Sequence, residues 1–207
     1  MESKIEVIKE WLGTGCINIF GLPMSGKDTQ GIKLAETLGA KFLSSGIIVR
    51  AIEAQSKEGY SQSGSLIPSD VFYKWVLPYF ERPELFHTPL ILSSIGRWFG
   101  EEDQTMSVAA GAGHPIMAAI ILNVSEADVI NRYEKSKELG DRGERPDDKS
   151  IDIFKTRIQE FNQKTIPVVQ HYNELGLLIR VNGDQPREAV FNEIIDKLYQ
   201  KASSAQP

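Results

Sequence analysis

Apolar residues in this chain form short continuous runs that alternate with longer segments of helical spacing. The runs lie at 16–20, 89–93, 116–124 and 177–181, and a further short strand is expected at 41–44. Helical spacing is found at 3–12, 32–38, 126–137, 149–174 and 186–201, and we expect Pro167 to kink or divide the helix at 149–174. Short runs that are apolar throughout are typical of parallel strands covered on both faces and joined by right-handed helical crossovers. The sequence therefore predicts a single α/β domain over 1–207, with a five-stranded parallel sheet and helices on both faces in three layers.

The segment 45–85 does not follow this alternation. A stretch rich in Gly and Ser (56–65) precedes Ser69 and Asp70, which can cap a helix that carries Phe72 and Trp75 on its apolar side. The segment lies between the second and third predicted strands. We expect a mostly helical insertion that covers a site at the edge of the sheet.

Composition narrows the class of partner. The chain has 207 residues, 41% of them hydrophobic and 25% charged, with a net charge of −5. No overall positive field favours nucleic acid or an anionic membrane as a partner. The single cysteine, Cys16, excludes an internal disulfide and a cysteine-cluster zinc site. With no long apolar span and no signal-peptide pattern, we expect a cytoplasmic protein.

A glycine-rich loop follows the first predicted strand. Residues 21–30 read G-L-P-M-S-G-K-D-T-Q and lead directly into a helical pattern. Gly21 and Gly26 permit the tight turn that points successive backbone N–H groups at phosphate oxygens, and the following helix N-terminus favours the same anion. Lys27 adds a positive charge over the more distal phosphates. The pattern predicts a phosphate-binding loop.

Arginines recur at the positions where strands end. Arg50 follows the second strand, Arg97 follows the third, and the others of the set are Arg132, Arg142, Arg145 and Arg157. Ligands of parallel α/β folds bind beyond the carboxyl ends of the strands, so we expect these side chains to converge on one crevice. Planar guanidinium groups hold phosphates in pairs of hydrogen bonds, as phosphoryl transfer requires.

At these residues the sequence resembles the adenylate kinases and their nucleoside monophosphate kinase relatives, from about 16 to 198. The family's phosphate loop G-x-P-G-x-G-K-G-T-Q is matched by Gly21, Pro23, Gly26, Lys27, Thr29 and Gln30. The acceptor motifs S-T-G-D-x-x-R, G-x-L-V-P-D-E and D-G-F-P-R are similar to 44–50, 64–70 and 93–97. The closing motifs are similar to 144–148, 157–158, 167–172 and 181–183.

The resemblance implies a donor site, an acceptor site and a short, metal-free lid. The implied ATP-binding residues are Met24, Ser25, Gly26, Lys27, Asp28, Thr29, Arg132 and Gln185. The implied monophosphate-binding residues are Ser45, Arg50, Ser65, Leu66, Ile67, Gly96, Arg97, Glu101, Arg145 and Arg157. The implied catalytic residues are Lys27, Arg97, Arg132, Arg145 and Arg157. The core would be 1–44, 86–132 and 149–207, the monophosphate-binding region 45–85 and the lid about 133–148.

Two departures from the family pattern concern Mg²⁺. Asp28 replaces the glycine after the loop lysine, and Ser93 replaces the aspartate that helps to hold the Mg²⁺ shell in the family. Asp28 can ligate Mg²⁺ directly or through water in compensation, or it can serve only as a favourable charge at a helix N-terminus. Asp28 is therefore the candidate metal ligand.

A third departure concerns the acceptor base. Glu101 stands where the family usually carries a glutamine that reads this base. A carboxylate accepts from an exocyclic amino group but cannot donate, which favours adenine or cytosine over uracil or guanine. A local insertion would make Gln104 the reader instead.

We therefore expect a monomeric enzyme that transfers a phosphoryl group reversibly from Mg·ATP to a nucleoside monophosphate, with AMP favoured. CMP, UMP or dTMP are alternative acceptors. A nucleotide-binding protein with weak catalysis is the alternative from another class. A switch-type GTPase is disfavoured because the sequence lacks N-K-x-D.

Overall fold

The computed structural model describes residues 1–55, 63–139 and 149–205. The strands found in these ranges form one parallel sheet in the order β2-β3-β1-β4-β5. They are β1 (Cys16–Gly21), β2 (Lys41–Ser44), β3 (Leu90–Ser93), β4 (Ile116–Asn123) and β5 (Leu178–Asn182). The predicted five-stranded parallel sheet is confirmed. Because the chain crosses from one side of β1 to the other, the crevice beyond the carboxyl ends of the strands opens beside β1.

Helices connect the strands and cover both faces of the sheet. They are α1 (Glu2–Leu12), α2 (Lys27–Leu38), α3 (Ser45–Glu53), α4 (Ser69–Trp75), α5 (Glu101–Gly111), α6 (Glu126–Leu139), α7 (Ile151–Glu160), α8 (Ile166–Glu174) and α9 (Arg187–Ser204). The long helix expected at 149–174, with a kink or division at Pro167, is divided: a π-helical turn at Phe161–Thr165 joins α7 to α8, and Pro167 lies in the first turn of α8. Over the described residues, no helix combines the length and apolar character needed to cross a membrane.

The hydrophobic core consists of one cluster on each face of the sheet. Ile17 and Ile19 of β1 pack with residues of α1, α2 and α9, whereas Cys16 and Phe20 belong to the cluster on the other face. Successive side chains of a strand point to opposite faces, so all six residues of β1 are buried. This double coverage explains why the sequence of β1 is predominantly apolar.

One polar side chain in β1 fixes the segment that follows β3. Asn18 is fully buried, and its Nδ2 donates to the carbonyl oxygen of Ile95 at 2.7 Å. Its Oδ1 accepts from the backbone N–H of Ile95 at 3.3 Å. A buried amide is stable in a core only when it is paired in this way. Asn18 therefore holds the beginning of the loop that carries Arg97.

Cys16 has a structural role in the same strand. Its side chain is fully buried and donates to the carbonyl oxygen of His114. Burial raises the pKa of the Cys16 thiol, because a thiolate would lose its hydration there. The residue is a small core side chain and not a reactive nucleophile.

Candidate active site

The phosphate loop joins the carboxyl end of β1 to the start of α2. Gly26 precedes α2 in the left-handed region at φ 92°, and Met24 lies there too at φ 64°. A Cβ atom on Gly21 would lie 2.5 Å from Oγ of Ser25, so the loop closes only with glycine at that position. The first N–H groups of α2 consequently face the crevice, where an anion satisfies them.

Two cavities meet at this loop. Both are lined by Lys27 and Asp28, which stand between them. The first, called the acceptor cavity below, also contains the carboxyl ends of β2 and β3 through Ser44 and Ser93. The second, called the donor cavity, lies between the phosphate loop, α6 and the segment after β5. One lysine is thus placed to contact ligands in both cavities.

The donor cavity contains all the predicted ATP-binding residues. Its lining includes Met24, Ser25, Gly26, Lys27, Asp28, Thr29, Arg132 and Gln185. Gln185 is oriented by its own neighbours, since its Nε2 donates to the carbonyl oxygen of Asn182 and to the carboxylate of Glu193. The sequence motifs therefore predicted residues that the fold brings to one cavity.

Arg132 braces the phosphate loop from α6. Its Nη1 donates to the carbonyl oxygens of Met24 and Ser25, each at 3.3 Å, and its Nη2 donates to the carbonyl oxygen of Gly183 at 3.0 Å. Asp184 lies 3.5 Å from Nη2 and partly balances the charge. The guanidinium binds these two loop carbonyls, which leaves the backbone N–H groups of the loop available to an anion in the donor cavity.

The acceptor cavity collects cations from four separate elements. Its lining includes Lys27, Arg50, Arg97 and Arg157, with Asp28 and Glu101 as the anionic side chains. Ser45, Ser65, Leu66 and Ile67 line it as well. In the described chain this excess of positive charge suits an anionic ligand such as a phosphate.

Glycines allow two of these arginines to approach the cavity closely. A Cβ atom on Gly46 would lie 3.1 Å from Nη1 of Arg50, so the missing side chain leaves room for the guanidinium. Gly64 has φ 77°, and a Cβ atom there would lie 3.3 Å from Cγ of Arg157. Gly96, which was also predicted to bind the monophosphate, is not in the cavity lining and instead forms the turn at φ 75° before Arg97.

Asp28 and Ser93 are joined directly. Oγ of Ser93, at the end of β3, donates to Oδ1 of Asp28 at 2.5 Å. The two departures from the family pattern are thus neighbours in space, although 65 positions separate them along the chain. The hydroxyl holds the carboxylate at the boundary between the two cavities.

The residues at this boundary fit a Mg²⁺ ion that is bound mainly through phosphates. Among the described residues there is no cluster of three or more His, Cys, Asp and Glu side chains for a metal. Mg²⁺ needs no such cage, because it is usually held by one or two carboxylates together with substrate phosphates and water. Asp28 supplies one carboxylate beside the phosphate loop, which meets this requirement.

Glu101 has a different environment from the one expected of a base reader. It is 2% exposed. Its Oε2 accepts from the backbone N–H groups of Arg97 and Trp98, and its Oε1 accepts from Oγ of Ser69. Glu101 lines the acceptor cavity, but its carboxylate is bound to the protein on both oxygens. Its reading of a base stays a prediction.

Part of the predicted site lies outside the described residues. This holds for Arg142 and Arg145 and for the predicted lid beyond 139. The described start of that lid, 133–139, is the last part of α6. Their roles stay predictions.

Several cavity residues were missed from the sequence. On the donor side they are Lys135, Ser136, Leu139, Pro186 and Arg187, and on the acceptor side Val49, Phe72 and Trp98. Three of these follow Arg132 at helical spacings of three, four and seven residues, which place them on the same face of α6. That periodicity was the available signal for the donor side.

Comparison with known proteins agrees with the geometry. The chain is similar to the adenylate kinase of Methylobacterium nodulans, with 30% identity over 183 residues, covering 84% of this chain and 91% of the relative. The chain belongs to the adenylate kinase family. The adenylate kinase of Azorhizobium caulinodans is 27% identical over 194 residues, covering 89% of this chain and 98% of the relative. No protein-family model matches the sequence.

A solved structure supports the fold. A gluconokinase from Sinorhizobium meliloti 1021 superposes with a TM-score of 0.61 at 19% identity, covering 92% of this chain and 94% of that one. The chain therefore has a P-loop α/β fold. As a member of the adenylate kinase family, it is a kinase that transfers phosphoryl groups among nucleotides.

We expect Arg132→Ala to weaken ATP binding at least tenfold, because loss of even one charge-assisted hydrogen bond costs about 1.5–3 kcal/mol and 1.4 kcal/mol is a factor of ten. Titration calorimetry with a non-hydrolysable ATP analogue measures this. Arg180→Ala is the matched control, because Arg180 is an exposed residue of β5, and it should leave the affinity unchanged. Equal ATP affinities for wild type and Arg132→Ala would show that the hydrogen bonds from Arg132 to the loop carbonyls do not determine the shape of the donor cavity.

Proposed function

We propose that the protein transfers the terminal phosphoryl group of Mg·ATP reversibly to a nucleoside monophosphate, with AMP as the favoured acceptor. The observation that carries this proposal is the pair of cavities that share Lys27 and Asp28. A hydrolytic ATPase needs room for a water molecule, whereas a nucleotide kinase needs a second anion site next to the first. The acceptor cavity supplies such a site.

The donor half of the proposal rests on the phosphate loop and α6. The N–H groups at the start of α2 and the Lys27 ammonium would hold the β- and γ-phosphates. Arg132 binds the loop carbonyls of Met24 and Ser25, which leaves the backbone N–H groups of the loop available to these phosphates. This arrangement orients the γ-phosphoryl group towards the boundary between the cavities.

The acceptor half rests on the three arginines. Arg50, Arg97 and Arg157 would bind the monophosphate and hold one of its oxygens in line with the γ-phosphorus. That oxygen forms a new P–O bond while the bond from the γ-phosphorus to the β–γ bridging oxygen breaks. The donor leaves as a diphosphate and the acceptor becomes one. A phosphate dianion is already a nucleophile, so no protein base is required.

Asp28 would contribute to Mg²⁺ binding at the boundary. When bound, Mg²⁺ neutralises charge on the β- and γ-phosphate oxygens. Asp28 supplies the carboxylate, and the hydroxyl of Ser93 fixes its orientation. The charge that the family places at the end of β3 would then come from the phosphate loop instead.

The names of the relatives favour AMP over other acceptors, since several curated proteins similar to this chain at 25–30% identity are adenylate kinases. CMP, UMP and dTMP remain alternative acceptors within the same fold. A binding protein with weak catalysis is the alternative from another class. Against it stand the four cationic side chains of the acceptor cavity, because a binder of one nucleotide needs no second cation cluster.

We expect ADP to form from ATP and AMP in the presence of Mg²⁺, with the highest kcat/KM for AMP among AMP, CMP, UMP and dTMP. Chromatographic separation of the products measures this directly. Lys27→Ala should reduce turnover at least a hundredfold without unfolding the protein, because its charge stabilises the transferring group. Preference for another monophosphate would reassign the acceptor, and ATP binding without diphosphate formation would favour the binding protein.

We expect Asp28→Asn to raise the Mg²⁺ concentration needed for half-maximal activity about tenfold and to lower turnover, because the amide lacks the charge that a hard cation prefers. Magnesium titrations at fixed ATP measure this. Ser93→Ala should cause a smaller shift, since the carboxylate remains but loses its donor.

Asp196→Asn is the matched control, because this exposed carboxylate on α9 contacts only Lys4 in the described structure. It should leave the Mg²⁺ dependence unchanged. If Asp28 is only a helix N-terminal charge, Asp28→Asn lowers stability by about 0.3–1 kcal/mol and does not affect the Mg²⁺ dependence. That outcome would refute the metal role.

A further inference from the structure

The loop that carries Arg97 has an unusual backbone. It connects β3 to α5, and three of its residues lie in the left-handed region: Ser94 at φ 51°, Gly96 at φ 75° and Gly100 at φ 94°. A residue such as Ser94 adopts this conformation only when surrounding contacts impose it. The position of Arg97 therefore depends on what restrains this loop.

The beginning of the loop is held by the core. Asn18 binds both backbone groups of Ile95, at 2.7 Å and 3.3 Å. Ser94 donates its backbone N–H to the carbonyl oxygen of Ile19 at 3.0 Å. These contacts leave the backbone of Arg97 and Trp98 to be fixed from the other side.

Glu101 holds the backbone of Arg97 and Trp98, in the second half of the loop. Its Oε2 accepts from the N–H of Arg97 at 2.7 Å and from the N–H of Trp98 at 3.0 Å. A carboxylate that accepts two adjacent N–H groups closes the chain into a tight turn, and charge-assisted bonds of this kind are stronger than neutral ones. With 2% exposure, Glu101 has little competition from water for these donors.

The other carboxylate oxygen reaches the opposite wall of the acceptor cavity. Oε1 accepts from Oγ of Ser69, the first residue of α4, at 2.7 Å. Beside it, Nε1 of Trp98 donates to the carbonyl oxygen of Ile67 at 3.1 Å. The turn around Arg97 and the segment before α4 are thus joined by two hydrogen bonds, one of them through Glu101.

A further contact ties the same segment to α7. The N–H of Leu66 donates to Oε2 of Glu160 at 3.0 Å, and the ammonium of Lys164 bonds to that carboxylate while lying 3.9 Å from the Trp98 ring centroid. Leu66 and Ile67 therefore rest on a continuous polar network. Glu101 is the member of this network that also contacts the backbone of an acceptor-cavity arginine.

We propose that Glu101 is a positioning residue that holds the Arg97 turn against the segment before α4, and that it does not select the acceptor base. This inference rests on the proposed phosphoryl transfer to a monophosphate. Three protein donors take three of the roughly four acceptor positions on its two oxygens, so the carboxylate is used mainly within the protein. Loss of the carboxylate therefore misplaces Arg97 and weakens its binding of the acceptor phosphate. Because every monophosphate carries this phosphate, all acceptors should be affected alike.

Two substitutions separate the roles of the oxygens. Glu101→Gln keeps the size of the side chain, and its NH₂ group can donate to the Ser69 hydroxyl, but its neutral oxygen accepts from the N–H groups of Arg97 and Trp98 more weakly than a carboxylate does. Ser69→Ala removes only the donor to Oε1 and leaves the Arg97 turn intact. Asp103→Asn is the matched control, because this neighbouring carboxylate of α5 is 63% exposed and contacts His171.

The kinetic test measures KM and kcat for AMP, CMP and UMP in these variants, with a thermal melt to verify folding. We expect Glu101→Gln to raise KM about tenfold for every acceptor by the same factor, with the KM for ATP nearly unchanged. Ser69→Ala should raise it about threefold, and Asp103→Asn not at all. A change in the order of preference among the bases would overturn the proposal.

Hydrogen exchange of the 94–101 peptide gives a readout that needs no activity. In Glu101→Gln the amides of Arg97 and Trp98 should exchange at least tenfold faster, and in Asp103→Asn at the wild-type rate. Unchanged exchange in Glu101→Gln would overturn the positioning role. A wild type that phosphorylates no monophosphate would reject the proposed function instead, while the exchange rates would still show whether Glu101 holds the turn.

Discussion

The structure depends on placing several positive charges at one edge of a sheet in a protein whose net charge is −5. Two phosphate-bearing nucleotides repel each other strongly at the short separation that phosphoryl transfer requires, and this repulsion must be offset locally. The parallel sheet makes this possible, because the carboxyl ends of all its strands face the same crevice. Lys27 follows β1, Arg50 follows β2 and Arg97 follows β3, so short connections bring three cations to one place.

Most of this architecture could be predicted from the sequence because it depends on local patterns. A strand that is covered on both faces is predominantly apolar, and this pattern predicted β1, β3 and β4. The edge strands β2 and β5 are partly exposed and show the pattern less clearly. Helix α5 was not predicted, since its residues Glu101–Gly111 are small or polar and show no apolar stripe. The π-helical turn at Phe161–Thr165 has no sequence signature of its own.

The sequence predicted those parts of the site in which a local motif determines the backbone conformation. It did not predict contacts between residues that lie far apart along the chain. The phosphate loop, Arg50, Arg97, Arg132 and Arg157 line the two cavities, whereas the predicted Arg142 and Arg145 lie outside the described residues. The contacts of Glu101 with Ser69 and of Asp28 with Ser93 join residues 32 and 65 positions apart, and no local pattern encodes such pairs. As a result, the sequence identified the residues of the site more reliably than their roles. Arg132 is an example. The sequence predicted that it binds ATP and acts in catalysis, whereas in the structure its guanidinium donates to backbone carbonyl oxygens of the phosphate loop.

The central claim is that the two cavities bind different nucleotides and share one transferring group. The most direct test is the steady-state kinetics of Arg97→Ala with both substrates varied, and Arg180→Ala as the surface control. Arg97 lines only the acceptor cavity of the two. The account predicts that KM for the monophosphate rises at least tenfold while KM for ATP changes less than about twofold. Equal increases in both KM values would contradict it.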